Sequence, residues 1–583
     1  IRNFYRDFDP AGTVNVEFTL AKVPGIGQVV KLIDGRMEAV DCGASYRMFP
    51  YRVSRLRGAV HYQPDGLRLD NLVGEHQGGK VTVNGTIAQP KWYSACSLDI
   101  TGQNIPLDRA LHDALGPRHR AVWDRFELDG QVDLAVSLVR DQGSPDQGEP
   151  WQTVVEADFL DLNASFLTFA YPVEHLKGHL RIDSEGFTVR DLAGQTGSGK
   201  VVFNGTAKLG RSGDKKLDLR LAAEEVGFDQ RLYDALPPGA RDAVQRFAPD
   251  GKVDLHGRLS LAADGGLVYD IQGDLRDVTL TYRELPIPVE KVSGRIHLTP
   301  QRVTLSGVEG RQGDTVVSVE GYADRSGDSP ETRLTISCRG LRLSEELRDL
   351  VPAELGRLWD LVRIEGPVDT ETLYVRTGRG QDVQAEQATR VTAHGIKLMY
   401  AGFPLELSEV DADAVIRGQT VEIESLKGSF GEGRILVRGS VSRGAQGPRG
   451  SLSVKAQDMA FSESLRQALP WRLRRTWNHL QPAGRFDLDE MQLVFEPDQE
   501  GRLNWDFAGR LDLDDAGFEA GVKVTGVSGS VFGSGQAGAD SGGLAGQADL
   551  ELSAMAIKGR SITDLTGKLI ISAVDQRVRL SEL

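Results

Sequence analysis

Cysteine is nearly absent from this chain: Cys42, Cys96 and Cys338 are the only three in 583 residues. So few, and an odd number, exclude a disulfide framework as the source of stability. Long apolar runs are also missing. No stretch of about 18 consecutive apolar residues occurs, so nothing here crosses a membrane as a helix. Positive charge is in deficit, with 68 Lys and Arg against 83 Asp and Glu and a net charge of −15. Nucleic acid favours basic surfaces, so no nucleic-acid partner is expected. Histidine is sparse and does not cluster. In the closest set, Glu174-His175 with His179, positions i and i+4 of a strand lie about 13 Å apart, too far for one metal ion. The opening IRNFYRDFDPAG has no initiator Met, signal peptide or basic leader, and the chain stops at RVRLSEL inside an alternating pattern. The expectation is a segment of a longer protein, in which a missing anchor decides nothing.

Glycine and repetition dominate instead. Glycine numbers 67 and aromatics make up 7%, a composition suited to many strands joined by tight turns. Aligned on itself, the chain repeats with a period of about 118 residues. The clearest anchor is a helical segment that closes on a glycine before a strand. It reads LDRALHDALGPRHRAVWDRFELDG (107–130), FDQRLYDALPPGARDAVQRFAPDG (228–251), LSEELRDLVPAELGRLWDLVRIEG (343–366) and FSESLRQALPWRLRRTWNHLQPAG (461–484). Its closing glycines Gly130, Gly251, Gly366 and Gly484 are 121, 115 and 118 residues apart, and Gly12 ends the tail of one more copy.

One motif resembles nucleotide chemistry. Gly194–Lys200 reads GQTGSGK, with the spacing of a phosphate cradle. Its sister segments are GEHQGGK (74–80), GRQGDTV (310–316) and GSFGEGR (428–434), which lose the lysine in the last two. Valine follows Lys200 where a Walker loop needs Ser or Thr and a helix, and VVFNGTAKL alternates as a strand does. The reading is a hairpin turn, with no nucleotide and no cofactor.

Strict alternation gives each module a sheet with one apolar and one solvated face. Val14, Val132, Val253, Val368 and Phe486 face one way; Asn15, Asp133, Asp254, Asp369 and Asp487 face the other and read as separate solvated carboxylates and amides. After the turn, Val81/Val83, Val201/Phe203, Val317/Val319 and Ile435/Val437 form apolar columns, while Asn84, Asn204, Glu320 and Arg438 form a polar one. Gly85, Gly205, Gly321 and Gly439 follow, as a bulge or bend requires. Each module holds about six strands and then a short helix pair split by Pro117, Pro237, Pro352 or Pro470. Trp123, Trp359 and Trp477, with Val244 in the remaining copy, read as packing residues. GSGQAGADSGG and GGLAGQAD, in the weak last copy, read as glycine-rich loops.

The expected fold is mainly β: an elongated, twisted, repeating groove of antiparallel strands with a short helical pair between modules. Residues 1–11 end a preceding module. Modules then occupy 12–129, 130–250, 251–365 and 366–483, with a partial, divergent fifth at 484–583. A long sheet curled over itself, its apolar face lining a trough, accounts for the lack of polar linkers. No active site and no metal site emerge, so no enzyme activity is expected.

The run of an aromatic-Pro-Val/Leu opening (YPVEHLKG, IPVEKVSG, FPLELSEV), a strand, RDLAGQTGSG and then GKVVFNGTAKL resembles the AsmA-like superfamily of bacterial envelope proteins, the TamB and YhdP type. The resemblance covers essentially the whole chain; the last module departs from it near Gly529. It implies a β-groove open along one side and lined by apolar side chains. It also implies a bridge-like lipid transfer protein carrying phospholipid between the inner and outer membranes of a Gram-negative cell, anchored from the periplasm in the inner membrane. Candidate lining residues are Val81, Val83, Val132, Leu134, Val201, Phe203, Val253, Leu255, Val317, Val319, Ile435 and Val437. A non-enzymatic structural or outer-membrane assembly factor that binds proteins along its sheet edges is the alternative.

Overall fold

A computed structural model describes residues 6–23, 29–89, 93–143, 151–166, 169–209, 215–236, 241, 244–245, 247–262, 266–282, 285–327, 329–343, 362–379, 382–400, 403–444, 446–469, 471–498, 500, 502–519, 521–538, 543–571 and 578–581. It is mainly β, with strands antiparallel throughout. Two compact units divide the chain: Ile1–Arg283 with Val292–Val303, and Glu284–Lys291 with Thr304–Leu583.

In the first unit, strands follow one another as a meander, each pairing with its neighbours in sequence. The first six are Ala11–Val23, Val29–Tyr46, Phe49–Gln63, Gly66–His76, Gly79–Ala88 and Cys96–Pro106. Helices Arg109–Ala114 (α1) and Pro117–Trp123 (α2) follow, then six more strands from Asp129–Arg140 to Lys215–Gly227, and helix Gln230–Ala235 (α3). The second unit repeats this plan, with six strands from Pro367–Thr377 to Gly447–Ala460 leading to helices Glu463–Ala468 (α4) and Trp471–Leu480 (α5). The sheet of neither unit closes into a barrel: Ala11–Val23 pairs only with Val29–Tyr46, and Val578–Ser581 only with Arg560–Ile571, among the described residues. None of the described helices is long and apolar enough to cross a membrane.

Alternation fixes which residues share a face, but each module breaks it at set points. Asn104, Glu225, Gly340 and Asp458 adopt positive φ of 52°, 55°, 71° and 56°, and the strand register shifts beside each. These are β-bulges, and a bulge turns one backbone N–H out of the ladder. Each of those N–H groups donates to an aspartate of the next strand. The acceptors are Oδ1 of Asp133 (2.6 Å), Asp254 (2.8 Å), Asp369 (2.7 Å) and Asp487 (2.6 Å). The recurring polar column is therefore a set of bulge clamps. Asparagine does the same at a second bulge, where Asn84 and Asn204 accept from the N–H of Asn71 and Asp191 at 2.8 and 2.7 Å. The glycines beyond the columns are required by space. A Cβ on Gly439 (φ +137°) would lie 2.1 Å from the Ser451 carbonyl oxygen, and one on Gly321 (φ +140°) as close to that of Arg333.

The helices are capped locally. Asp108, Asp229 and Ser462 accept from the N–H of Leu111, Leu232 and Leu465 at 2.8, 2.8 and 3.2 Å, the N-cap geometry that those residue types favour. Pro117 opens α2, where its missing N–H costs nothing; Pro237, Pro352, Pro470 and Trp359 lie outside the described residues. An arginine makes the elbow. Arg120, Arg241 and Arg474 donate through Nη2 to the carbonyls of Leu115 (2.8 Å), Leu236 (3.3 Å) and Leu469 (2.9 Å), each at the end of the first helix.

One expectation is corrected. The described parts of the glycine-rich segments of the last module belong to strands, Lys523–Gly538 and Gly543–Ile557, rather than to loops; residues 539–542 lie outside the described residues. Their glycines face large neighbours: a Cβ on Gly535 would meet the Phe507 ring at 2.6 Å. Phe507 thus fills the space that Gly535 leaves, and on the same strand Trp505 lies with its ring centroid 4.8 Å from that of Phe495.

Removing a clamp leaves a bulge N–H without its acceptor. Asp133→Ala should destabilise the first unit by about 1.5 kcal/mol, read as a lower urea midpoint, while Asp133→Asn keeps an acceptor and loses less than half of that. Gly439→Ala, strained by both φ and contact, should cost more than either.

Candidate functional site

The register carries the apolar columns from strand to strand. In the first unit Val16 lies opposite Met37, Met37 opposite Val60, and Val60 opposite Leu69. Beyond the next bulge Leu72 faces Val83, Val83 faces Ile100, Ile100 faces Val136 and Val136 faces Val155. The path continues through Ile182 and Phe187, and through Leu192 opposite Phe203, to Leu221. Directly opposed residues of antiparallel strands point to one side, so this is a single apolar face. Val81, Val83, Val132, Leu134, Val201, Phe203, Val253 and Leu255 all belong to it. In the second unit Val317 faces Cys338, Val319 faces Ile336, Ile435 faces Ala456 and Val437 faces Val454, again on one side.

Depth differs along that face. Val132, Val201 and Val253 are buried, at 3%, 4% and 5% exposure; the other nine candidates are half-buried. The cause is the helical rim. Ala110, Leu111 and Ala114 of α1 pack with Tyr51, Val53, Val81, Ile105, Val132, Leu134 and Phe159 into a closed cluster. In the second unit α4 joins a core with Val368, Ile396, Val410, Met459 and Phe486, against which Ile435, Phe461 and Trp477 pack. Away from that rim, Val83, Ile100, Val136 and Phe203 remain half-exposed. On the first strand Val16 and Phe18 are 58% and 59% exposed. A sandwich would bury such columns completely under its second sheet; these have no second layer above them among the described residues.

The opposite face is polar and cross-paired. Asp158 meets His179 at 2.9 Å, Glu156 meets Arg181 at 2.6 Å and Asp218 meets Arg258 at 2.5 Å. Such exposed rungs each contribute little to stability, but they keep that side solvated. No group of three or more His, Cys, Asp or Glu side chains is placed to hold a metal ion among the described residues. GQTGSGK is a hairpin: strand Gly186–Thr196 ends at Thr196, Gly199–Leu209 begins at Gly199, and Gly197 turns at φ +58°. Lys200 pairs in register with Gln195 and Glu224.

One feature of the face escaped sequence reasoning. In the second unit Thr372 lies opposite Ile336 on one side and Thr389 on the other. The hydroxyls of Thr372 and Thr389 hydrogen-bond at 3.0 Å, and Cys338 lies opposite Thr370. Hydroxyl residues thus cross the apolar face in one band. Its signal is the TxT of PVDTETLY, where the second module has Leu134 and Val136.

An uncovered apolar face should bind an environment-sensitive apolar dye. Phe203→Asp and Val319→Asp should each lower the fluorescence gain, while Thr206→Asp on the polar face should leave it unchanged. Compared with known proteins, the chain matches no protein-family model and no curated protein.

Proposed function

We propose that this chain is a lipid-carrying segment of an AsmA-like protein: a periplasmic bridge whose apolar face holds phospholipid, or another acyl-chain lipid, on its way between the inner and outer membranes. The observation that supports this reading is the face itself, continuous in register and half-exposed. Each acyl CH₂ taken from water onto it is worth about 0.8 kcal/mol. Headgroups stay in solvent at the open side, so the role needs neither nucleophile nor cofactor.

A second reading, a structural or assembly factor, has one observation in its favour. The strand Ala11–Val23 presents an outer edge with no partner among the described residues, and Phe18 and Leu20 on it are 59% and 54% exposed. An extended peptide could add to that edge through backbone hydrogen bonds.

Protein purified from bacterial cells should release phospholipid on organic extraction, identified by mass spectrometry. Phe203→Asp and Val319→Asp should lose most of it, because an acyl chain would have to desolvate a carboxylate, with far-ultraviolet circular dichroism unchanged. Soluble wild-type protein that carries no lipid would overturn the lipid reading. Peptide capture abolished by Phe18→Pro would then favour the second.

A further inference from the structure

Two histidines fasten the helix pair of the first module, one at the end of a strand and one inside α1. His76 ends the strand Gly66–His76; its Nδ1 lies 2.7 Å from the Arg52 carbonyl oxygen and its Nε2 lies 3.1 Å from Asp108 Oδ2. Asp108 is the N-cap of α1, so this contact ties the helix to the sheet. His112, inside α1, has Nδ1 3.1 Å from Asp113 Oδ1 and Nε2 2.8 Å from Asp124 Oδ1, just past the end of α2. All four partner atoms accept hydrogen bonds. A neutral imidazole has one N–H and one lone pair, so the His112 ring, placed between two carboxylates, satisfies both contacts only as imidazolium.

The remaining charged groups nearby do not supply a substitute. Tyr51 stacks on His76 with ring centroids 4.1 Å apart; burial, then the charge of Asp108, pushes its phenol up, so it stays neutral. Arg52 turns its guanidinium to Asp9 at 3.1 Å, Glu75 takes Arg55, and Arg109 lies 3.6 Å from Asp113. Arg120 donates to the carbonyls of Asp113 and Leu115. His119, on α2, is exposed.

The second module has the same cap without the titration. Thr196 occupies the place of His76 and Tyr233 that of His112. Asp229 still caps its helix, and the Tyr233 hydroxyl donates to the Pro249 carbonyl at 2.9 Å. Neither side chain changes charge near neutral pH.

We propose that the helix pair of the first module is a proton-dependent cover, held on the apolar face while His112 is protonated and loosened when it is not, whereas the helix of the second module is indifferent to pH. Histidine ordinarily changes charge between about pH 5 and 8. For His112 the sign is explicit: its hydrogen bonds to Asp124 and then Asp113 raise its pKa. Its contribution is therefore complete at low pH and lost as pH rises through the raised value. Loosening α1 uncovers Val81, Ile105, Val132 and Leu134, the buried end of the columns. The inference concerns the cover alone and stands whether or not the face binds lipid.

Hydrogen exchange read by mass spectrometry tests it on the intact chain, with protection factors corrected for the intrinsic rate. Between about pH 5.5 and pH 8, amides of 108–115 should lose at least about threefold in protection relative to those of 229–236 in the same molecule. The variant His112→Tyr, which installs the second module's residue, should remove the difference. Should that variant fail to fold by circular dichroism, His112→Gln, which keeps a polar side chain that does not titrate, should still remove it. An equal pH response in both modules, or a response that persists in a folded variant, overturns the proposal.

Discussion

The sheet depends on one hydrogen bond repeated in each of the four whole modules, from the backbone N–H of a left-handed bulge residue to an aspartate on the following strand. A bulge inserts one residue into a pattern of period two, so the apolar side must change parity there. Gly102 and Ile105 share the apolar face although three positions separate them. Without the bulge, Ile105 would point to solvent and the rim beneath α1 would lose its core. Asp133 holds that parity change in place by satisfying the one N–H that the ladder releases. The left-handed residue may be Asn, Glu, Gly or Asp, because only its backbone is used; the aspartate is constant, because only its side chain is used. All four donor–acceptor pairs are 29 residues apart.

That asymmetry explains what could be read from the sequence and what could not. The strands, the closing glycines and the turn at Gly197-Ser198 followed from alternation and self-similarity, which are local. The apolar columns followed for the same reason, and all twelve candidate residues lie on the apolar side of their unit. The role of the aspartates was hidden. Alternation places Asp254 on the polar side whatever it does, and its partner is a backbone atom of Glu225, which has no side-chain signature. Depth was hidden too. Val201 and Phe203 look equivalent in a strand, yet Val201 is buried and Phe203 half-exposed. Only the position of the helical rim, a tertiary fact, separates them.

The glycine-rich strands of the last module failed for a related reason. Alternation is visible when one face is apolar, but there glycine occupies that face at Gly529, Gly533 and Gly535. At Gly535 the missing volume comes from Phe507 on a neighbouring strand, so the signal was split between two segments. The Thr370–Thr372 band is the converse case. Its period was correct and its chemistry was not, because hydroxyls sit where the pattern demands aliphatic groups. Threonine retains the β-branched shape that a strand favours, so the band alters the face without breaking the sheet.

Each module therefore divides its apolar columns between two tasks. At the helical rim they form an ordinary packed core, which stabilises the module and fixes the helices. Beyond it they remain half-exposed, and that exposure is costly unless something apolar covers them. A monomeric protein seldom leaves an apolar patch of more than a few hundred square ångströms uncovered unless a partner uses it. Repetition then has a physical consequence. The clamp and the rim give each module its own stability, so substitutions such as Lys200 to the valine and arginine of its sisters are tolerated. The columns gain their value from running on into the next strand, so a ligand that moved along them would meet similar chemistry at each step within the first unit. Within the second unit the threonine band interrupts the aliphatic columns.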